Sequence, residues 1–111
     1  MIRVNIDDLE LEYVGADAGG GSIFEYKNEF FTGIMEEFHD NGNLSAEFEF
    51  KDGHANGKQK TYFENGQVKH EYYVRYNRSY DSSRLWNENG DLLLQVDYDD
   101  DGNEISRFGS L

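Results

Sequence analysis

Apolar and polar positions alternate along much of the chain, and one pattern recurs within this alternation. It reads aromatic-x-x-Asn-Gly-x-aliphatic and occurs three times at a spacing of 24 residues. Asn and Gly both tolerate positive φ, so Asn-Gly between alternating apolar residues is a strong signal for a β-hairpin turn. The sequence therefore predicts three hairpin repeats. The copies run from Phe38 to Leu44, from Tyr62 to Val68 and from Trp86 to Leu92, with structural turns at Asn41 and Gly42, Asn65 and Gly66, and Asn89 and Gly90.

The strands around each turn predict one apolar face. Apolar side chains recur every second residue after each turn, a period typical of half-buried antiparallel strands. A three-residue loop ending in a left-handed Gly would set the aromatic residue before the turn opposite the aliphatic residue after it. We therefore expect the motif residues to share the core face. The expected core-face residues are Ile34, Phe38, Leu44, Ala46, Phe48 and Phe50; Lys58, Lys60, Tyr62, Val68, His70, Tyr72 and Val74; and Arg84, Trp86, Leu92, Leu94, Val96 and Tyr98.

The period also divides the chain. Residues 1–22 are expected to form N-terminal cap strands and a Gly-rich break, because the end of a repeat array must hide its edge. Residues 23–111 form the repeat domain. Its parts are a degenerate repeat at 23–32, repeats at 33–56, 57–80 and 81–105, and a closing strand at 105–108. Asp81 stands in the third repeat where Gly33 and Gly57 open the other two.

The amino-acid composition argues against several kinds of site and partner. The chain of 111 residues contains no cysteine, which excludes disulfides and thiolate metal sites. Its net charge of −13 argues against nucleic acid and anionic membranes as partners, because both would repel it. The first residues do not resemble a signal peptide, and no apolar run is long enough to span a membrane. We therefore expect a cytoplasmic location.

Patterns of catalytic or metal-binding residues are weak. His39, His54 and His70 lack ligand spacing, and we expect His70 to be a hydrogen-bonded histidine of the core face. Residues 97–102 match the first half of a calcium loop, but Phe108 stands where that loop needs its bidentate acid. The sequence also lacks a phosphate-binding loop and a nucleophile motif. We therefore expect no enzyme activity, no cofactor and no metal.

The face opposite the expected core mixes carboxylates with aromatic rings, which suits recognition of a basic protein surface. Alternatively, the rings pack against the N-terminal segment or are scattered surface side chains. We expect a monomer that binds one protein partner through this face. The candidate partner-binding residues are Glu37, Glu47, Glu49, Phe63, Glu71, Tyr73, Arg75 and Asp97, and Met35, His39, Leu85 and Leu93 are placed on the same face.

The 24-residue period, the turn motif and the opening Phe31-Thr32-Gly33-Ile34 resemble the MORN-repeat-variant family over residues 23–105. The resemblance implies an all-β fold, with a single-layer twisted antiparallel sheet of stacked β-hairpin repeats. Many bacterial members are described as antitoxin or immunity proteins, which implies that this chain neutralises a cognate toxin, such as a nuclease, by covering its basic active-site surface. The alternative is a non-catalytic scaffold or assembly module that uses its sheet edges. A calcium- or lipid-binding module ranks third.

Overall fold

The structure, a computed structural model, describes residues 1–75 and 78–109. These residues form eleven β-strands and no helix, which confirms the all-β prediction. Tyr76 and Asn77, which the sequence places in a connecting loop, lie outside the described residues, as do the last two residues of the chain. The strands are β1 (Arg3–Asn5), β2 (Leu11–Ala16), β3 (Ser22–Tyr26), β4 (Glu29–Phe30), β5 (Gly33–Phe38), β6 (Leu44–Lys51), β7 (His54–Tyr62), β8 (Val68–Arg75), β9 (Arg78–Trp86), β10 (Leu92–Tyr98) and β11 (Glu104–Gly109).

Eight strands form one large sheet in the order β1-β5-β6-β7-β8-β9-β10-β11. From β5 to β11 each strand pairs antiparallel with the next strand along the chain, so this part is a row of hairpins. The predicted hairpin sheet is therefore confirmed. β1 adds a parallel edge strand next to β5. Strands β2, β3 and β4 form a second, smaller sheet.

The smaller sheet packs on one side of the large sheet, here termed the inner face; the opposite side is the outer face. A buried cluster of Val4, Phe31, Met35 and Phe50 lies between the sheets. The sequence placed Met35 opposite the core, but its side chain is only 3% exposed. Met35 is buried because it pairs with Phe48 and so shares the inner face with the rings of β6.

The segment 23–32, expected as the tail of a degenerate repeat, contributes β3 and β4 to the smaller sheet. Backbone hydrogen bonds attach it to the large sheet at Gly53. The Phe24 N–H donates to the Gly53 carbonyl at 2.9 Å, and the Gly53 N–H donates to the Phe31 carbonyl at 2.8 Å. The hairpin sheet therefore carries a second layer at its N-terminal end.

Each predicted Asn-Gly turn is a three-residue loop closed by two backbone hydrogen bonds. In the first turn, the His39 N–H donates to the Asn43 carbonyl at 2.7 Å, and the Gly42 N–H donates to the His39 carbonyl at 2.9 Å. The Gly of each of the three turns has a left-handed φ between 88° and 91°. This is the hairpin loop in which Gly follows a type I turn. The predicted turns and the pairing of Phe38 with Leu44 are confirmed.

A one-residue β-bulge after each turn changes the face that the motif residues occupy. In all three hairpins the register skips one residue of the second strand, at Ser45, Lys69 and Leu93. Because side chains alternate between faces, this skip puts Leu44 and Ala46 on opposite sides of the sheet although they are two residues apart. The expectation that the motif residues share the core face is therefore wrong.

The motif residues lie on the outer face instead. Tyr62 alternates with Lys60 along β7, and its hydroxyl donates to the Glu47 carboxylate there. Val68 and Trp86 line a single hollow on this side. We term the six motif residues the aromatic stripe: Phe38, Leu44, Tyr62, Val68, Trp86 and Leu92.

The connection between the first two hairpins, after β6, is a tight turn. Asp52 and Gly53 form a two-residue turn with φ of 51° and 89°, and His54 already begins β7. Asp81 adopts a φ of 60° at the repeat opening, although it is not Gly. Asp tolerates this left-handed region better than most residues, which explains how the third repeat keeps its geometry.

We expect Gly66→Ala to lower the free energy of unfolding by about 1 kcal/mol, because a Cβ is disfavoured at left-handed φ. Gly20→Ala should cost a similar amount. Gly20 has a φ of 86°, and its N–H donates to the Asp17 carbonyl in the turn that joins β2 and β3. Urea unfolding monitored by tryptophan fluorescence measures both changes.

Gly19→Ala is the matched control, because Gly19 is not at positive φ. It should change the free energy of unfolding by less than about 0.5 kcal/mol. Equal losses in all three variants would contradict the assignment of the two turns.

Candidate functional site

A row of directly paired polar side chains crosses the outer face. Glu47 of β6 lies opposite Lys60 of β7, and Lys60 lies opposite Glu71 of β8. Glu71 in turn faces Arg84 of β9. Adjacent strands are about 4.8 Å apart, so neighbours in such a row can touch. We term this set the charged row: Glu36, Glu47, Lys60, Glu71, Arg84 and Gln95.

Arg3 of the edge strand neutralises one end of the charged row. Its Nη1 lies 2.9 Å from Glu36 Oε2 and 2.6 Å from Glu47 Oε2. The hydrogen bonds that Arg3 donates to Glu47 and Glu36 raise the pKa of Arg3 above its ordinary value. This bridge joins three strands by side chains as well as by backbone.

Glu71 occupies the centre of the charged row between two cations. Its carboxylate lies 3.4 Å from Lys60 Nζ and 3.6 Å from Arg84 Nη1. Arg84 Nε also donates to Gln95 Oε1 at 3.1 Å. Acids and bases therefore compensate each other along the row. Individual exposed ion pairs contribute about 0–1 kcal/mol each, and partly buried networks contribute more.

Tyr62 links the aromatic stripe to the charged row. Its hydroxyl donates a short hydrogen bond to Glu47 Oε1. Burial and this contact raise the pKa of Tyr62 well above its ordinary value. Burial alone would raise the pKa of Glu47, but hydrogen bonds from Tyr62 and Arg3 outweigh it and lower that pKa. Glu47 is therefore held as a carboxylate.

The aromatic stripe runs parallel to the charged row at the turn end of the sheet. Its members are half-buried, and Phe38 at one end is 45% exposed. Val68 and Trp86 border a hollow of about 610 Å³ whose other wall includes Glu71 and Arg84. A half-exposed aromatic row beside fixed polar groups has the composition of a protein-interface core with its rim.

The outer face continues beyond the row into a cluster of rings and cations. Tyr73 and Tyr80 meet edge-on with centroids 5.8 Å apart. Arg75 lies over the Tyr80 ring at 4.6 Å, and Lys58 lies over the Tyr73 ring at 5.9 Å. Burial, followed by the charge of Glu71, raises the pKa of Tyr73. These contacts hold the rings in fixed positions on the sheet.

The structure separates the eight candidate residues into two groups. Six of them lie on the outer face and are accompanied by basic side chains: Glu47, Glu49, Glu71, Tyr73, Arg75 and Asp97.

The other two candidates lie elsewhere. Glu37 pairs with Ala46 on the inner side of the sheet. Phe63 lies in the second turn, with Lys69 Nζ 5.8 Å from its ring centroid. On the outer face, Asp97 of β10 accepts hydrogen bonds from Ser106 and Gln95, which lower its pKa.

Sequence reasoning missed the basic half of the outer face, namely Arg3, Lys58, Lys60 and Arg84. It placed the last three on the core face because a clean alternation puts Lys60 opposite His70. The bulge moves Lys60 opposite Glu71. The second hairpin contained a signal in its charges, since only a shift by one residue sets Lys60 opposite the acid Glu71.

The histidines take local structural roles. His39 Nε2 lies 2.9 Å from the Tyr62 carbonyl, and His54 Nδ1 lies 2.9 Å from Asp17 Oδ2. His70 faces inward, 3.1 Å from Ser83 Oγ, and burial followed by the charge of Lys69 lowers its pKa. The three rings lie at separate places on the large sheet.

The acidic turn at residues 97–102 is organised by Asp99. Its Oδ1 accepts the N–H groups of Asp101 and Asn103 at 3.0 and 2.9 Å, and the Asn103 bond contributes most to the lowered pKa of Asp99. No cluster with the make-up of a metal site occurs among the described residues. In the same part of the chain, no helix is long and apolar enough to cross a membrane.

We expect Tyr62→Phe to lower the free energy of unfolding at pH 7 by about 1 kcal/mol, because Glu47 loses a charge-assisted hydrogen bond. A carboxyl whose pKa is lowered in the folded state stabilises the fold above its unfolded pKa, and this stabilisation is lost as pH falls through the folded pKa. The loss between about pH 5 and pH 3 should therefore be smaller in Tyr62→Phe than in the parent. Urea melts across this range measure it.

Tyr72→Phe is the matched control. The Tyr72 ring lies on the inner face, and within the described residues its hydroxyl makes no hydrogen bond. Its removal should leave the pH dependence unchanged. Parallel pH profiles for Tyr62→Phe and the parent would show that the Tyr62–Glu47 contact does not form in solution.

Comparison with known proteins agrees with the repeat architecture. Residues 31–52 and 55–75 match the family described as MORN repeat variant. The matched stretches contain the β5–β6 and β7–β8 hairpins with their turns. Among curated proteins no match to the chain was found. The β9–β10 hairpin has the same loop and the same bulge. Two stretches of the chain are therefore similar in sequence to the MORN repeat variant family, and a third hairpin is alike in its loop and register.

Proposed function

We propose that this chain is a non-catalytic binding protein whose outer sheet face holds one protein partner, and that the partner is a cognate toxin that it neutralises. The observation that carries the proposal is the aromatic stripe on the outer face. One aromatic–aliphatic pair of the stripe occurs in each of the three repeats, yet all three pairs point away from the core cluster. Aromatic residues at such positions are the anchors typical of protein interfaces.

The outer face is large and rigid enough for a stable complex. Eight strands spaced about 4.8 Å apart and about 25 Å long give roughly 800–900 Å². A standard interface buries about 800 Å² on each partner. The side chains stand on paired strands and are held by the charged row, so little ordering entropy is lost on binding.

In this proposal, the charge of the chain has one effect on a distant partner and another effect at the contact surface. The net charge of −13 would attract a basic toxin surface from afar and speed association at low salt. The contact surface itself is balanced, because Arg3, Lys60 and Arg84 offset the acids beside them. Affinity would therefore come from the aromatic anchors, and the block would be steric coverage of the toxin's active site.

The toxin as partner rests on the resemblance to the MORN-repeat-variant family, whose bacterial members include antitoxin and immunity proteins. A complex of one monomer with one toxin molecule follows from a single outer face per chain. A cytoplasmic site of action, the lack of enzyme activity and the exclusion of nucleic acid and membrane surfaces belong to the same proposal.

A scaffold that assembles through its sheet edge is the second candidate function, and β11 favours it. All six residues of this edge strand are exposed, and Ile105 and Phe108 are 64% and 59% exposed. An exposed edge with apolar side chains can pair with a strand of another molecule. The scaffold function predicts that the chain associates with itself and does not bind a foreign partner.

The test is co-expression with the products of the genes adjacent to its own, one of which should be toxic alone and harmless together with this chain. Phe38→Ser should weaken the purified complex at least tenfold and abolish growth rescue, because it removes an anchor of the aromatic stripe. Its melting temperature should change little, since the ring is already half-exposed. Calorimetry measures the affinity.

Ile105→Ser is the matched control, because it removes an exposed apolar side chain from the β11 edge. It should leave affinity and growth rescue unchanged. Rescue retained by Phe38→Ser but lost by Ile105→Ser, together with concentration-dependent self-association of the parent, would favour the scaffold over the toxin-binding proposal.

A further inference from the structure

Three exposed acids line the turn end of the sheet beside the aromatic stripe. Asp40, Glu64 and Glu88 occupy the same position in the three Asn-Gly turns. Each is exposed, and in the described part of the chain none of them forms an ion pair. We term these three residues the turn ridge. Lys69, over the Phe63 ring, offsets a part of their charge.

Side-chain hydrogen bonds connect each turn to the next and fix the ridge. Asn41 Nδ2 and Asn43 Nδ2 both donate to the Glu64 carbonyl, at 2.9 and 2.8 Å. Asn65 Nδ2 lies 3.5 Å from the Glu88 carbonyl in the following turn. The motif Asn therefore acts between repeats as well as within its own turn. The acids are presented at set intervals, next to a fixed apolar stripe.

The intervals match the geometry of an α-helix laid across the hairpins. Successive hairpins are two strands apart, or about 9.6 Å. Seven residues of helix rise about 10.5 Å, so side chains at i, i+7 and i+14 would meet successive repeats. The six strands that carry the stripe span about 24 Å, the length of a helix of about 16 residues.

We propose that the aromatic stripe and the turn ridge together bind a basic amphipathic helix of the partner. The apolar side of the helix would lie on Phe38, Tyr62 and Trp86, with a large side chain in the hollow between Val68 and Trp86. Lys or Arg residues along one flank would face the ridge. An extended strand fits this place poorly, because the backbone groups beneath the stripe are already paired within the sheet.

This inference rests on the proposed function but is tested separately from it. The probe is a synthetic 16-residue helical peptide with Leu along one face and Lys along the adjoining flank. Trp86 is the chain's single Trp, so it reports contact directly. We expect micromolar binding with a blue shift of Trp86 fluorescence, and weaker binding as salt rises. A scrambled peptide of the same composition should bind at least tenfold more weakly.

Two charge-reversal variants test whether the peptide contacts the turn ridge. Glu64→Lys with Glu88→Lys should weaken peptide binding at least tenfold. The matched control, Glu29→Lys with Asp101→Lys, changes net charge equally at two exposed positions away from the ridge, one in β4 and one in the β10–β11 turn, and should weaken binding less than threefold. All four positions are exposed, so circular dichroism should show unchanged folding.

Three results would overturn the inference: equal binding of the scrambled peptide, equal weakening by both charge variants, or an unchanged Trp86 spectrum at saturation. The toxin assay is independent of these. Growth rescue that survives the ridge variant but is lost in Phe38→Ser would retain the proposed function and reject the ridge as a helix site. Rescue lost with no adjacent gene product bound would instead reject the proposed function.

Discussion

The three-residue turn with its left-handed Gly, followed by a one-residue bulge, is the constraint on which the rest of this structure depends. The loop fixes which residues meet across each hairpin, and Phe38 therefore lies opposite Leu44. The bulge then moves the side chains of the following strand to the opposite face of the sheet. Without it, Lys60 would face His70 across the inner side. With it, Lys60 faces Glu71 on the outer side, and the charged row can form.

The two faces of the large sheet consequently differ in their role. The inner face forms the core, and the outer face carries side-chain contacts between hairpins. The inner face buries Met35 and Phe50 against the smaller sheet, where Phe24 meets Phe50 edge-on at 5.5 Å. The core is thin, so lateral contacts between hairpins must contribute to stability as well. Arg3, Glu71 and the short Tyr62–Glu47 bond supply such contacts on the outer face. That face is polar at its centre and aromatic at its turn end.

Long-range attraction of a partner and recognition at the contact surface therefore rest on different groups of side chains. A net charge of −13 acts over the Debye length of about 8 Å or more, whereas the charged row is balanced and the aromatic stripe is uncharged, with the acids of the turn ridge at the border of the stripe. Charge reversal at Glu47 or Glu71 would place a new cation beside Arg3, Lys60 or Arg84, and would disturb the fold as well as any complex. Exposed positions such as Phe38 and Glu64 probe binding more cleanly.

The sequence by itself determined the all-β class, the number of hairpins and their turns, because Asn-Gly and a left-handed Gly are local requirements that one short segment satisfies alone. It also determined that Phe38 pairs with Leu44, since loop length sets the register next to the turn. Only the tertiary structure determined which side chains lie on the inner face of the large sheet and which lie on the outer face. A bulge at Ser45 or Lys69 has no strong local signal, and one skipped residue exchanges inside and outside for a whole strand. The smaller sheet was likewise decided by long-range packing, because Phe24 and Phe31 are buried only once Gly53 and Phe50 are in place. The sequence therefore placed Glu47 and Glu71 on the same face as the structure does, but the basic side chains beside them and the aromatic stripe became visible only when neighbouring strands were paired.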